Sequence, residues 1–356
     1  MKIILSTILI VFFSFGVFAN ESEHKEVNTN EKYNPVPPIM EHIMDAHTWH
    51  LWGAGHDAVA IPLPVILWTE KGLVTFMGDE FHHDTEGHHI VTKNGLNLVN
   101  YEEKIYQLAE GAEHLEFDKD GVVANIRPID ISITKNVAAM IISLIILCLV
   151  FFAAAKSYRG GVKAPKGIAS FMEPLILFIQ NDIALANIGE KHYKRFLPFL
   201  LTVFFFIWFN NMLGLIPIFP GSANVSGNIA FTLALSFITL LLTNLNGNAN
   251  YWKHIFWMPG APIPIKIFLI PIELIGLIAK PFALMIRLFA NITAGHIVVL
   301  SLVSLVFIFK TVYMSAVSVP FTLFISVLEL LVALLQAYVF TMLSALFIGS
   351  AVAEAH

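Results

Sequence analysis

Apolar positions are distributed very unevenly along this chain. Before residue 136 they occur in short runs between charged residues, glycine and proline, whereas after it they form long stretches with few interruptions. About twenty consecutive apolar residues suffice for one membrane-spanning helix. The pattern therefore predicts an all-α polytopic membrane protein with about five transmembrane helices, preceded by a small mixed, β-containing N-terminal region.

Residues 1–19 have the pattern of a signal peptide. Lys2 gives a positive start, an apolar run extends to Phe18, and Ala19 is the kind of small residue that signal peptidase recognises. A signal peptide directs the following chain out of the cytoplasm. We therefore expect cleavage after Ala19 and place the N-terminal region (residues 20–135) in the periplasm.

The N-terminal region begins with a charged tail and then becomes globular in composition. Residues 20–32 lack apolar periodicity, which is typical of disorder. Short apolar runs between proline and glycine then predict strands. The predicted strands are 58–61, 65–68, 72–76 and 122–123, the last after a turn at 119–121.

Histidines are concentrated in the globular part of this region. Imidazole is a ligand for zinc and copper. However, the spacing matches no closed metal site, and the single cysteine, Cys148, lies in an apolar run far from them. We interpret them as loop histidines and expect no metal. They are His42, His47, His50, His56, His82, His83, His88, His89 and His114.

The first transmembrane helix is predicted at 136–156, and the residues after it set the orientation. Several basic residues follow directly, and the positive-inside rule places them in the cytoplasm. This orientation agrees with a secreted N-terminal region. The basic residues are Lys156, Arg159, Lys163 and Lys166.

The segment 157–195 is expected to be a cytoplasmic loop that contains an interfacial helix. Apolar residues at 168–188 are interrupted by polar ones such as Glu173 and Asp182, which favours a position on the membrane surface. Residues 196–246 then predict a transmembrane hairpin, with helices at 196–218 and 227–245.

The last two apolar stretches, within 262–353, are too long for upright helices. Residues 262–309 would extend about 70 Å and residues 312–353 about 60 Å if helical, whereas the hydrocarbon core is about 30 Å thick. No polar break divides either stretch. We therefore expect two long, steeply inclined helices that form the path of an ion, with Pro271 and Pro281 bending the first.

The first long stretch carries a charge at every seventh position. Lys266, Glu273, Lys280 and Arg287 thus form a stripe along one helix face. A charge at the bilayer centre costs roughly 2.5–3.5 kcal/mol and usually lines an aqueous path or faces a charged partner. The lysines could extend to the headgroups, but Arg287 lies among large apolar residues where this is difficult. Arg287 is therefore a candidate functional residue.

Other polar residues of the long stretches suggest proton transfer. Asn291 lies one turn beyond Arg287, and His296 lies on the opposite face of the helix. In the second stretch, Glu329 and Gln336 are seven residues apart and share a face. A carboxylate and an imidazole inside the membrane suit stepwise proton transfer. Arg287 stays protonated and so cannot pass a proton on, but it can keep a passing carboxylate of another chain ionised.

Composition excludes several other functions. The chain is 56% hydrophobic and 13% charged, with a net charge of −5, which gives no basis for nucleic-acid binding. It has no glycine-rich phosphate loop, and we expect no cofactor and no catalytic site of its own.

The sequence KPFALMIRLFANITAGH at residues 280–296 closely resembles the core motif of subunit a of F-type ATP synthases. Further segments resemble the same family, so the resemblance covers about residues 137–350. These segments are 173–174, 187–191, 196–198, 211–217 and 334–340.

The resemblance implies the membrane stator subunit of a proton-driven rotary ATP synthase in the bacterial inner membrane. Arg287 would face the rotor-ring carboxylate, with Asn291 and Gln336 as polar neighbours. Its implied partners are rotor-ring subunit c, peripheral-stalk subunit b, the whole complex and membrane lipids.

Glu273, His296 and Glu329 would line two proton half-channels. Many bacterial members have the acid and the histidine of the last pair in reverse positions, which leaves the order of transfer open. Gly214 stands where many relatives have an acid. Sodium in place of protons stays open, because the ion ligands belong to the rotor ring.

Three other interpretations compete with this one. A secondary transporter could bind an anionic substrate at Arg287, but such folds usually have internal repeats, and none is found here. A cation channel conflicts with a central arginine. An assembly scaffold predicts that Arg287→Ala is harmless.

Overall fold

The computed structural model describes residues 34–52, 59–109, 111–158, 166–216, 219–258 and 262–353. The predicted signal peptide and the charged tail, residues 1–32, lie outside the described residues. So do Arg159 and Lys163 of the predicted basic loop.

The described part of the N-terminal region combines one short helix with small antiparallel sheets. Helix α1 is Val36–Ile43. The three sheets have the strand orders β1-β2, β4-β3-β8 and β5-β6-β7. The strands are β1 Thr48–Trp52, β2 Val59–Pro62, β3 Pro64–Thr69, β4 Gly72–Met77, β5 Val91–Lys93, β6 Leu96–Tyr101, β7 Lys104–Gln107 and β8 Ile129–Asp130. The predicted β-containing region is therefore confirmed.

Alternation of side chains builds the core of these sheets. In β3, Val65 and Leu67 lie on one face and are fully buried, while Trp68 on the opposite face is exposed, as the two-residue period of a strand requires. Hydrogen bonds also fix the region internally, since His47 Nε2 lies 3.0 Å from the Asp130 carboxylate. Burial raises the pKa of Asp130, but hydrogen bonds from His47 and Ser132 outweigh this and lower it to about 2.

One predicted strand is wrong. The turn at 119–121 forms, with the Gly121 N–H donating to the Asp118 carbonyl at 2.9 Å. However, Val123 makes only an isolated bridge with Phe117 instead of a strand. Phe117 and Val122 are both more than half exposed, so no buried apolar face holds a longer ladder there.

The rest of the described chain is helical. Five helices are long and apolar enough to cross a membrane, namely α2, α3, α4, α7 and α8. The helices are α2 Lys135–Ser157, α3 Ile168–Ile188 with a π-helical part at Ile179–Leu185, α4 Tyr193–Gly214, α5 Ile229–Leu245, α6 Ala249–Phe256, α7 Ile263–Phe309 and α8 Val312–Val352.

One of the five helices of membrane-spanning length is not one that the sequence predicted to span the membrane. The sequence predicted a spanning helix at 227–245 and a surface helix at 168–188. Helix α3 has the length of a span, whereas α5 has only 17 residues and continues into α6 through a 103° bend. Seventeen residues are at the lower limit for a span, and α6 was not predicted at all.

Each long apolar stretch forms one helix, as expected, and neither is divided in two. Helix α7 has 47 residues and α8 has 41. Pro271 and Pro281 lie inside α7 without ending it. Their steep inclination in the membrane stays a prediction.

Helix α4 lies at the centre of the helical bundle, where it contacts α2 and α8. Its Leu200, Phe204 and Ile207 are buried in one apolar cluster with Leu284 and Leu288 of α7. Small residues allow close approach of membrane helices, and Gly349 of α8 lies so close to the Asn187 backbone that a Cβ atom would collide with it. This packing fixes which faces of α7 and α8 meet.

Candidate functional site

Arg287 lies on the outward face of α7. Its neighbours Leu284, Met285 and Leu288 are buried in the bundle, while Arg287 itself is exposed. Within the described part of the chain it has neither an ion pair nor a hydrogen bond. A cation in a membrane-length helix normally has a charged or aqueous partner. The geometry thus presents the guanidinium to a partner outside this chain.

A narrow cavity lies beside the next two turns of α7. It has a volume of about 10 Å³ and is lined by Asn291 and His296 of α7, Glu329 of α8 and Asn211 of α4. We call it the His296 cavity. His296 is only 9% exposed, so its imidazole is enclosed by the bundle. The structure therefore brings together three of the residues singled out in the sequence, although they come from two helices.

Two glycines make room for the titratable side chains of the His296 cavity. A Cβ atom on Gly214 would lie 3.8 Å from Nε2 of His296 and 3.1 Å from the carbonyl oxygen of Ala223. On Gly295 it would collide with the carboxylate of Glu329. The missing acid at Gly214 thus leaves the space beside the imidazole open.

Asn211 is a member of this site that the sequence analysis did not assign. Its Nδ2 donates to the Ala333 carbonyl at 3.4 Å. Its buried Oδ1 has no hydrogen-bond partner among the described residues, and such a group normally binds water. The asparagine pair at 210–211 inside an apolar run was the available signal.

For a subunit of the kind that residues 280–296 resemble, we expect Gly295→Ala to lower ATP-driven proton pumping several-fold while the complex still assembles. The added methyl group meets the end of the flexible Glu329 side chain, so the carboxylate is displaced. Alanine favours a helix over glycine by about 1 kcal/mol, so loss of the helix is not expected. Acidification of inverted membrane vesicles measures the effect.

A double-variant cycle tests this explanation. The shorter side chain of Glu329→Asp withdraws from position 295, so adding Gly295→Ala to it should cause no further loss. Two independent losses that simply add would contradict contact between the two positions.

A second, wider cavity lies nearer the start of α7. Its volume is about 450 Å³, and Glu273, Lys280, Tyr251 and His254 are among its lining residues. We call it the Glu273 cavity. Glu273 and His296 are about 34 Å apart along the axis of α7 by helix rise. The predicted half-channel residues therefore fall into two separate cavities.

Gln336 lines neither of these cavities. It is 5% exposed and lies on α8 next to the buried Ala337. No hydrogen bond joins it to Arg287 in the described residues. Its predicted role as a polar neighbour of Arg287 stays a prediction.

The two lysines of the charged stripe on α7 lie over aromatic rings. The ammonium group of Lys266 lies 4.5 Å from the ring centre of Trp257, and that of Lys280 lies 5.7 Å from Phe347. Over the ranges that the structure describes, no group of three or more histidine, cysteine or acidic residues could hold a metal ion.

Two protein-family models match this chain, and the boundary between their matches lies close to residue 136, where the composition changes. A model of the ATP synthase A chain family matches residues 137–349, and a model of a domain of unknown function (DUF8433) matches residues 38–131. The first match thus covers more than half of the chain.

Individual relatives agree with the family match. The ATP synthase subunit a of Chloroherpeton thalassium is 46% identical over 262 residues, which are 70% of this chain and 76% of that protein. The ATP synthase subunit a 2 of Chlorobaculum tepidum is 49% identical over 233 residues, 63% of this chain and 64% of that protein. The ATP synthase subunit a of Myxococcus xanthus is 43% identical over 235 residues, 64% of this chain and 75% of that protein.

Proposed function

The chain belongs to the ATP synthase A chain family, the stator subunits that conduct protons in the membrane sector, and from this premise we propose how its residues act. Arg287 faces the carboxylate of a rotor-ring subunit c. The His296 cavity and the Glu273 cavity are the two half-channels, which lead protons to and from the ring and couple their flow to ATP synthesis. The family membership leaves no support for the alternative of a secondary transporter.

One observation carries this proposal, namely two cavities on α7 with an exposed Arg287 between them. Counting along α7, Arg287 is about 13 Å from His296 and about 21 Å from Glu273 by helix rise. Neither cavity includes Arg287 among its lining residues. Among the described residues, the two cavities share no lining residue.

The positive charge of Arg287 requires that the rotor carboxylate carries the proton. A guanidinium remains charged at any accessible pH, so it stabilises an ionised rotor carboxylate in front of it. That carboxylate has to take a proton from one half-channel before it moves into lipid, and lose it into the other. Each proton that crosses 100 mV releases about 2.3 kcal/mol.

Orientation follows from the charges at the helix ends. We propose that the N-terminal region (20–135) is periplasmic and that the loop and α3 within 157–195 lie at the cytoplasmic surface. After the hairpin within 196–246, α7 and α8 then place the Glu273 cavity towards the cytoplasm, where the C-terminus also lies. Subunit b of the peripheral stalk holds the chain in the bacterial inner membrane, against the lipids.

Exchanging the titratable pair tests the channel assignment. We expect the double variant His296→Glu with Glu329→His to keep partial, not zero, proton pumping in inverted vesicles. Both groups remain in the same cavity, and the glycines at 214 and 295 leave space beside them.

The single variants serve as controls for the exchange. His296→Glu alone places two acids side by side, and Glu329→His alone removes the acid, so each should pump less than the exchange. If the double variant is no better than the weaker single variant, the two side chains do not form a functional pair.

A further inference from the structure

The N-terminal region is firmly packed on the membrane helices. Trp49 is 1% exposed, and its ring centre lies 5.0 Å from that of Phe219, in the loop before α5. Trp49 shares one apolar cluster with Ala139 of α2 and with Val225 of the same loop. Burial of a large aromatic side chain is a strong contribution to such a contact. The region is therefore part of the wall around the helices and not a loosely tethered domain.

A partly buried polar cluster fixes the segment after α1 in this interface. The Asp45 carboxylate accepts hydrogen bonds from the Thr134 hydroxyl at 2.9 Å, the Asn136 N–H at 2.9 Å and the Asn228 side chain at 3.2 Å. The ammonium group of Lys135 donates to the His42 carbonyl at 3.3 Å. Asp45 thus joins the end of α1 to the start of α2 and to the loop before α5.

The same loop reaches the His296 cavity. The Ala223 carbonyl oxygen and Nε2 of His296 both lie within 4 Å of the position that a Cβ atom of Gly214 would occupy. Helix α1 also contacts α7 directly, and the charges of His42 and His296 are close enough to interact. His42 therefore lies on the side of the His296 imidazole that faces the N-terminal region.

Unpaired polar atoms lie at the start of α2 and in the loop before α5. The buried Asn136 Oδ1, Asn224 Nδ2 and Ser226 Oγ have no hydrogen-bond partner among the residues that the structure describes. Buried polar groups are normally satisfied, and water is the usual partner where protein offers none. The interface between the N-terminal region and the helices is thus suited to an ordered chain of water.

The surroundings of His42 keep its imidazole neutral. Burial and the charges of Lys135 and His50 lower its pKa to about 4. The groups that act on it are Lys135 from α2, His50 from β1 and His296 from α7, with Asp45 three residues along the chain. A neutral imidazole can accept a proton on one ring nitrogen and release another from the second nitrogen.

We propose that the N-terminal region forms the outer wall of the proton inlet and that His42 passes protons through this wall towards His296. This inference rests on the proposed function of the His296 cavity. In each step one N–H bond forms on His42 and the other N–H bond breaks, so one proton moves and nothing is oxidised or reduced.

Two variants in the intact complex test the inference. His42→Gln keeps a polar side chain but cannot be protonated, and we expect ATP-driven acidification of inverted vesicles to fall several-fold. His88→Gln is the matched control, because His88 is a solvent-exposed histidine of the same region; its pumping should equal that of the parent. Pumping by His42→Gln at the parent rate overturns the inference.

Chemical rescue separates proton transfer from a structural role. We expect imidazole in the medium to restore pumping by His42→Ala, with no effect on the parent or on His88→Gln. Reduced pumping that imidazole does not restore, in a complex that assembles, also overturns the inference.

Arg287→Ala measured in parallel distinguishes the two proposals. Normal pumping by Arg287→Ala overturns the proposed function itself. If Arg287→Ala is inactive while His42→Gln pumps normally, the function stands and only the role of His42 is refuted.

Discussion

Inverted vesicles that carry Arg287→Ala should hydrolyse ATP without acidifying their interior. Without the guanidinium, the rotor carboxylate has no fixed cation to keep it ionised at the stator. A proton then either stays on the ring or passes between the cavities without rotation. We expect pumping at the level of vesicles that lack the complex, measured as quenching of a pH-sensitive dye.

The fold should survive this substitution. Arg287 is exposed and contributes no ion pair or hydrogen bond within the described chain, while Leu284 and Leu288 hold its helix in the bundle. Removal of a charge from a membrane-length helix also lowers the cost of insertion. The complex should therefore assemble in normal amounts, which co-purification of its subunits can establish.

Lys266→Ala is a suitable control on the same helix. Lys266 lies near the start of α7, stacked on Trp257, and lines neither cavity. The substitution removes a cation from the same stripe of charges at every seventh position. Normal pumping by Lys266→Ala would therefore show that the loss of pumping is specific to position 287. Normal pumping by Arg287→Ala would instead refute the assignment and favour a scaffold.

The length and periodicity of apolar stretches were enough to predict the membrane helices. Residues 262–309 and 312–353 contain no polar break, and each forms a single helix in the structure. A charged residue is conspicuous in such an apolar helix, so Arg287 could be singled out directly. Helix α3 was harder to assign, because a segment of 21 residues with mean hydropathy of only 1.3 suits both a surface and a spanning position.

Pairing between distant residues could not be predicted. Helix periodicity gives the face of each residue, but it does not say which face of α8 meets α7. The contact of Gly295 with Glu329 depends on that packing, as does the inclusion of Asn211 in the cavity. Asp45 and Asn228 are 183 residues apart, and only the tertiary fold shows that they form a hydrogen bond.

Glu329→Gln should remove nearly all proton flow, whereas Glu273→Gln should leave most of it. The His296 cavity is narrow, with a volume of about 10 Å³, which is room for about one water molecule. A proton passing through it therefore depends on the few titratable groups on its wall. Glutamine has the shape of glutamate but cannot give or take the proton, and removing such a group typically costs about a hundredfold or more.

The Glu273 cavity has a volume of about 450 Å³, which is room for many water molecules beside its side chains. Water can carry protons there without any single carboxylate, so the loss from Glu273→Gln should be small. Pumping by both variants in vesicles with equal amounts of complex measures the contrast. Equal losses would mean that cavity size does not decide which carboxylate is essential, and a normal Glu329→Gln variant would exclude Glu329 from the proton path.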